Sequence, residues 1–196
     1  MDPIQNQGSC GSCWAFAAAA TLETQHNIET GELLKISEQE LVDCVDTCSG
    51  CNGGLANLAY DWLSSNREPS LENNYPYHAK SESCKAHAGK DTFQVKGSGM
   101  VASGEKGMLK KLESGPISVS VDASSWHGYK SGIMTNCGQS TNHAVVVSGY
   151  GEEDGVSYWL IRNSWGPGWG ESGYLRVKFG DNVCNITRRP SYPKLA

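Results

Sequence analysis

No stretch of the 196 residues is apolar for long enough to cross a bilayer as a helix, which takes about 20 consecutive apolar residues. Charged side chains make up only 19% of the chain and hydrophobic ones 38%, a balance that suggests neither a membrane protein nor a disordered chain. Basic residues are the minority, 16 against 21 acidic, and the net charge of −5 argues against a general nucleic-acid binder. There is no internal repeat and no low-complexity linker. The opening Met1-Asp2-Pro3-Ile4 is polar and turn-like, and it carries no signal peptide, transit peptide or lipidation motif. The chain is therefore expected to be either cytosolic or the processed or truncated form of a longer product.

Eight cysteines are present. That is too many to be incidental in a reduced compartment, and it points to disulfides, metal binding or thiol chemistry. It also favours the processed form, because disulfides are made in oxidising compartments. Glycine accounts for 23 residues, well above the usual share of roughly 7%, so turns and close backbone approaches are expected. The length suits one large domain or two small lobes with a real core. Asn185-Ile186-Thr187 is an N-glycosylation triplet, of a kind common by chance, beside Cys184.

The two halves differ in pattern. Acidic side chains outnumber basic ones in residues 1–98, and basic ones slightly outnumber acidic ones in residues 99–196. The first half reads helical. Trp14 to Glu23 is alanine-rich and free of Gly and Pro. Ser37-Glu38-Gln39-Glu40 is a capping box opening a short helix through Leu41 and Val42. Leu55, Leu58, Ala59, Trp62 and Leu63 follow one helix face. A further short helix is predicted from Glu105 to Glu113, with Met108, Leu109 and Leu112 inward. The rest of the second half reads as strands. Ile117, Val119 and Val121 alternate with polar residues. His143 to Ser148 is apolar and β-branched and is closed by Gly149-Tyr150-Gly151, and Tyr158 to Arg162 and Tyr174 to Lys178 follow. The expectation is an α+β chain of two lobes, approximately 1–98 mainly helical and 99–196 mainly β, with a cleft between them.

The sharpest run is Gln7-Gly8-Ser9-Cys10-Gly11-Ser12-Cys13-Trp14-Ala15-Phe16. Cys13 falls at the start of the first predicted helix, after a flexible Gly-Ser turn. A helix N-terminus favours an anion, so a thiolate there is stabilised, and the thiolate rather than the thiol is the nucleophile. A base is needed nearby. His143 heads an apolar strand directly after Thr141-Asn142, and Asn163 follows in Arg162-Asn163-Ser164-Trp165-Gly166.

With these residues the chain resembles the papain family of cysteine peptidases, on the cathepsin L-like side. Further matching runs are Ser37-Glu38-Gln39-Glu40-Leu41-Val42-Asp43-Cys44, Gly50-Cys51-Asn52-Gly53-Gly54 and Gly115-Pro116-Ile117-Ser118-Val119. Asn142-His143-Ala144-Val145, Asn163-Ser164-Trp165-Gly166, Trp169-Gly170-Glu171 and Ser191-Tyr192-Pro193 complete the series. The resemblance implies a papain-like two-lobe fold, a helical N-terminal lobe and a β-barrel-like C-terminal lobe, with the active site in the cleft. It implies a cysteine endopeptidase in which the Cys13 thiolate attacks a peptide carbonyl and His143 shuttles the proton. Asn163 would orient His143, Trp165 would shield that bond, and the Gln7 side chain with the Cys13 N–H would form the oxyanion hole. Gly53 and Gly54 would receive an extended substrate backbone. Leu55, Ala56, Ser120, Thr141, Ala144 and Arg189 would line the pocket for the second residue before the cut, with Asn142 also at the substrate. That pocket is expected to take a hydrophobic side chain, with Arg189 as the exception that either accepts an acidic group or swings to solvent. No histidine-bearing insertion of the cathepsin B kind interrupts the chain, which favours an endopeptidase over a carboxydipeptidase.

The same resemblance pairs Cys10 with Cys51, Cys44 with Cys84 and Cys137 with Cys184, leaving Cys48 over. It makes the chain a mature catalytic domain without its propeptide and without the usual N-terminal lead-in carrying an Asp-Trp pair, so that Met1 need not be a biological start. The implied partners are peptide and protein substrates, the chain's own propeptide and cystatin-type inhibitors, with no nucleic acid, no membrane, no cofactor and no metal. The implied state is a monomer in a lysosome, vacuole or similar acidic compartment, or secreted. Two rivals stand beside it. One is a catalytically inactive papain-like peptide binder. The other is a zinc or redox module built on Cys10-x-x-Cys13 and Cys48-x-x-Cys51, although the gap between these pairs is long for a zinc ribbon and no strand precedes the first. His26, His78, His87 and His127 lack such context and are expected at the surface, and most of the six tryptophans in the core.

Overall fold

The computed structural model describes residues 1–65, 68–85, 92–102 and 104–196. They divide into two compact units: Met1–Asp2, Gln7–Gly99 and Tyr192–Ala196 in the first, Pro3–Asn6 and Met100–Ser191 in the second. His87 lies outside the described residues. No helix among the described residues is long and apolar enough to cross a membrane.

The first unit is built on α1 (Cys13–Thr30). It extends well past the predicted Glu23 because nothing stops it before Gly31. There φ is 79°, and the Gly31 N–H bonds the Asn27 carbonyl at 2.8 Å, a left-handed cap that glycine adopts without a Cβ clash. Every residue from Trp14 to Glu23 is buried. A helix without a polar stripe belongs at a centre rather than a surface. α2 (Glu38–Cys44) starts at Ser37, whose hydroxyl accepts from the Glu40 N–H at 2.9 Å. Only half of the predicted capping box forms. The Glu40 carboxylate turns away to take the Ser70 N–H and hydroxyl, each at 2.7 Å, while the Ser37 N–H bonds the Ser70 carbonyl. α3 (Ala56–Leu63) buries Ala56, Ala59, Tyr60 and Leu63. That face is rotated from the predicted one: Leu58 and Trp62 are half-buried and Leu55 precedes the helix. The Tyr60 and Thr21 hydroxyls bond α3 to α1. Disulfides Cys10–Cys51 and Cys44–Cys84 staple this unit.

The second unit is a strand ladder. β2 (Ile117–Val121) pairs antiparallel with β4 (His143–Glu153), from Ile117 opposite Val147 to Val121 opposite His143. β4 pairs with β5 (Val156–Arg162), and β5 with β6 (Tyr174–Lys178). The two-residue β3 (Ile133–Met134) runs parallel to β6. β4 does not stop at Gly149 as predicted. A register shift between Val147 and Gly149 absorbs the glycine, and pairing continues to Glu153. Ser118 was placed on the polar phase of β2, yet it is buried, with its hydroxyl 2.8 Å from that of Ser191. The partner is β7 (Arg188–Leu195), which, like β1 (Val95–Met100), has no strand pattern in its sequence. β7 bulges where Ser118 faces Ser191 and Ser120 faces Arg188. The extra residue falls at Arg189, with φ at 51°, followed by Pro190, which has no N–H to contribute to a ladder. The last residues of β7 belong with β1 in the first unit.

The core of the second unit gathers Ile117, Val119, Val121, Val145, Val147, Ile161, Leu175 and Val177 with Trp126 and Trp159. α4 (Gly104–Leu112) adds Met108, fully buried, with Leu109 and Leu112 half-buried against it. The third disulfide, Cys137–Cys184, closes this unit.

Candidate active site

In the first unit, Cys13 is the first residue of α1 and is half-buried. No acidic side chain occupies the first turn, and Ser12, at the cap position, makes no side-chain cap hydrogen bond. Thus neither a first-turn carboxylate nor the Ser12 hydroxyl competes for the positive end of the helix. Gln7 is buried, and its Nε2 donates to the Cys10 carbonyl at 3.0 Å. A primary amide has two N–H groups, so this bond orients the group while the second N–H points a different way. Gly11 is pinned by its N–H to the Cys51 carbonyl at 2.8 Å, so the Cys10–Cys51 bridge and this bond together hold the turn that presents Cys13.

Gly53 has φ at 121° and nothing within 4 Å of the position a Cβ would take. Gly54 has no such space. A Cβ there would lie 2.6 Å from the Trp14 ring and 2.8 Å from the Cys48 Cβ, so only glycine lets this strand-like stretch lie on α1. Leu55 is half-buried and Ala56 buried at the start of α3. Cys48 is a free half-buried thiol whose ionisation burial pushes up.

In the second unit, His143 and Asn163 meet. His143 Nε2 and Asn163 Oδ1 are 2.7 Å apart, and the same oxygen accepts the Ser164 N–H at 2.8 Å, which fixes the amide's orientation. Trp165 covers the pair with its ring centre 5.0 Å from that of His143, and Trp126 presents to His143 at a right angle at 6.0 Å. Burial pushes His143 from its ordinary 6.5 down to about 4; the Asn163 hydrogen bond opposes that shift and the charge of His127 adds to it.

The lead into His143 is bolted to the end of β2. The Asn142 N–H bonds the Val121 carbonyl, and Asn142 Oδ1 accepts the Ala123 N–H. Asp122, buried, accepts the Ser140 N–H at 2.8 Å and the N–H and hydroxyl of Ser124. Thr141 and Asn142 are exposed, Ala144 is buried opposite Ser120, and Arg189 is exposed in the β7 bulge beside Ser120.

One histidine departs from expectation, and another, exposed as expected, makes a ring contact. His26 is buried and stacks on Phe93 at 4.5 Å, while the exposed side of α1 at this point is carried by Ile28 and Glu29. His127 is exposed but stacks flat on Trp165 at 4.7 Å. The triplet at Asn185 is also engaged: its Nδ2 donates to the Gln139 carbonyl and Ile186 is fully buried. Sequence reasoning missed Asp122 and Tyr77. Asp122 follows β2 on a phase that reads as solvent-facing, and the Tyr75-Pro76-Tyr77 run carries no local mark of what its hydroxyls reach. The zinc reading loses its ligands, because Cys10 and Cys51, one from each Cys-x-x-Cys pair, are bonded to each other.

The first unit thus carries a thiol at a helix N-terminus and a buried amide donor, and the second a histidine held by an asparagine under a tryptophan. The chain belongs to the papain family of cysteine proteases, whose family model matches residues 1–194. Fruit bromelain of Ananas comosus is 40% identical over 203 residues, covering 100% of this chain and 58% of the relative. The chain spans about half the length of most of the curated relatives it matches, as with cysteine proteinase B of Leishmania mexicana at 45%. The solved bromelain protease from Ananas comosus in complex with the E64 inhibitor superposes with a TM-score of 0.94 at 37% identity, covering 100% of this chain and 94% of that one. The fold is therefore papain-like.

Proposed function

We propose that this chain hydrolyses internal peptide bonds by acyl transfer through Cys13. The observation that carries the reading is the hydrogen bond between His143 and Asn163 beneath Trp165. The Cys13 thiolate adds to the scissile carbonyl, and the resulting oxyanion is met by the second N–H of the Gln7 amide and by the Cys13 N–H. Collapse expels the amine, which leaves with the proton of the His143 imidazolium, and a thioester remains. His143, now neutral, takes a proton from water as it attacks the thioester. The second collapse releases the carboxylic product and restores the thiolate. Asn163 is a neutral partner that holds the ring without itself supplying the counter-charge, which leaves the thiolate to do so. Gly53, open on its substrate side, supports an extended peptide backbone as an added strand. Leu55, Ala56, Ser120, Thr141, Asn142, Ala144 and Arg189 are proposed to contact the substrate, with a hydrophobic residue second before the cut.

The reading extends to an acidic compartment such as a lysosome or vacuole, or to secretion, and to control by a propeptide and cystatin-type inhibitors. The proform in which the ragweed pollen cysteine protease Amb a 11 was solved, a chain this one matches at 38% identity, supports the first of these controls.

The test is hydrolysis of fluorogenic peptides by the wild-type chain, with and without an epoxide inhibitor of the E64 type, followed by mapping of the adduct. Hydrolysis lost together with an adduct on Cys13 is expected, and Cys13→Ala and His143→Ala are expected to fold without turnover. Substantial turnover by Cys13→Ala sinks the mechanism. Peptide binding by the wild-type chain without cleavage makes it an inactive binder.

A further inference from the structure

The Tyr77 hydroxyl joins the two segments of the first unit that carry Gln7 and Cys13. It donates to the Gln7 carbonyl at 2.6 Å, and it lies 2.6 Å from the Ser12 hydroxyl. A phenol has one proton and a carbonyl can only accept, so that proton goes to Gln7. Ser12 is then the donor of the second bond, and its oxygen is turned toward Tyr77. The alternative use of the Ser12 proton, the Cys10 carbonyl at 3.5 Å, is longer and weaker.

This is an unusual use of a serine at a helix cap. Such a serine ordinarily turns its oxygen to accept the N–H of the second or third helical residue. Ser12 does not, although it precedes α1 directly. Tyr77 itself is well held. Its ring meets Phe16 of α1 edge-on at 4.8 Å, its N–H bonds a Glu72 oxygen at 2.9 Å, and the Ser37 hydroxyl bonds the nearby Tyr75 carbonyl. Burial raises the ionisation of the phenol above its ordinary 10, against the Ser12 bond and with the help of charge at Glu38 and Cys13, so it remains a proton donor at any working pH.

We propose that Tyr77 is a positioning residue for both halves of the thiol site: it tethers the main chain of Gln7 and holds the Ser12 hydroxyl away from the α1 N-terminus, leaving the Trp14 N–H, a first-turn donor that the Ser12 carbonyl does not take up as it does those of Ala15 and Phe16, for an anion at Cys13. The inference rests on the proposed function for its catalytic consequence but not for its effect on the thiol.

Two variants of the full chain test it, Tyr77→Phe and Ser12→Ala/Tyr77→Phe. The phenylalanine keeps the ring against Phe16. Peptide hydrolysis reads kcat and KM, and the pH dependence of alkylation by iodoacetamide reads the thiol, with a Cys13→Ser control separating Cys13 from the free Cys48. Tyr77→Phe is expected to lower kcat by about 10- to 100-fold, short of or at the low end of losing an oxyanion donor outright, with KM changed by less than about threefold. It is also expected to raise the midpoint of Cys13 alkylation by about one pH unit, as the freed Ser12 oxygen caps the helix in competition with the thiolate. The double variant has no oxygen left to cap with. Its midpoint should return to the wild-type value while kcat stays low. A midpoint unmoved in Tyr77→Phe, a midpoint that stays raised in the double variant, or an unchanged kcat each overturns the proposal. A wild-type chain that cleaves nothing but shows the two midpoint shifts instead overturns the proposed function and leaves the role of Tyr77 toward the thiol standing.

Discussion

Burial sets the charge of His143 against the role proposed for it. With Asn163 as its hydrogen-bond partner, the imidazole is pushed down to about 4, so an imidazolium at neutral pH needs an anion to hold it. An opposite charge close by favours the charged form by about 1–3 units. In Cys13→Ala, His143 is expected to titrate near 4, and in the wild type at least about two units higher, read from the ring nitrogens by NMR. Equal midpoints would remove the thiolate–imidazolium pair. Gln7, Cys13 and Asn163 stand out in the sequence as candidates because they sit in runs marked by glycine or tryptophan, and His143 because the run Asn142-His143-Ala144-Val145 matches the family. Tyr77, His26 and Asp122 do not. What decides them is which distant partner a side chain reaches, across 65 or 70 positions for Tyr77 or onto the Phe93 ring for His26, and that is not written locally.

Elements follow the same division. α2, α4, β2, β5 and β6 were found where hydrophobic period or a cap marks them. β1 and β7 were missed because glycines in the one, and two arginines and two prolines in the other, erase the alternation, and pairing with a neighbour is what makes them strands. The face of α3 was misjudged since Tyr60 satisfies its hydroxyl on Thr21 and so goes inside, turning Trp62 outward. The segment before α3 shows how closely a turn can be tied to a helix. Trp14 is fully buried, its Nε1 donates to the Gly50 carbonyl at 3.0 Å, and its ring leaves no room for a Cβ at Gly54. Overpacking of this kind costs about 1–3 kcal/mol. Gly54→Ala is accordingly expected to lower thermal stability by that amount and to disturb Trp14 fluorescence, whereas Gly31→Asn, at a left-handed cap with open space, should be nearly neutral in the same melt. Equal stability of Gly54→Ala and wild type would contradict the close approach.

At the scale of the whole molecule, the charge split between the halves says nothing about the charges placed inside the first unit. There Lys35 serves two carboxylates, Glu23 at 2.9 Å and Glu38 at 2.5 Å, and Glu23 also accepts the Ile36 N–H. Burial raises Glu23 to about 8 and Glu38 to about 6, with Lys35 opposing both shifts. Folding then binds protons that the unfolded chain, with carboxylates near 4.5, releases. The stability these groups contribute is full below about 4.5 and is lost as pH rises through 6 and then 8, by at most about 1.4 kcal/mol per unit for each group. The lowered Glu82, Asp122 and Glu171 weaken the fold only below the ordinary carboxylate range. The sum favours an acidic setting, as the proposed compartment requires. In urea unfolding, the wild-type midpoint is expected to decline between pH 6 and pH 8. Glu23→Gln keeps the acceptor for Lys35 and Ile36 but cannot ionise, so its decline should end near pH 7, about one unit above the value of Glu38, where that group finishes titrating. A variant that declines as steeply as the wild type up to pH 8 would show that Glu23 is not the group that ionises there.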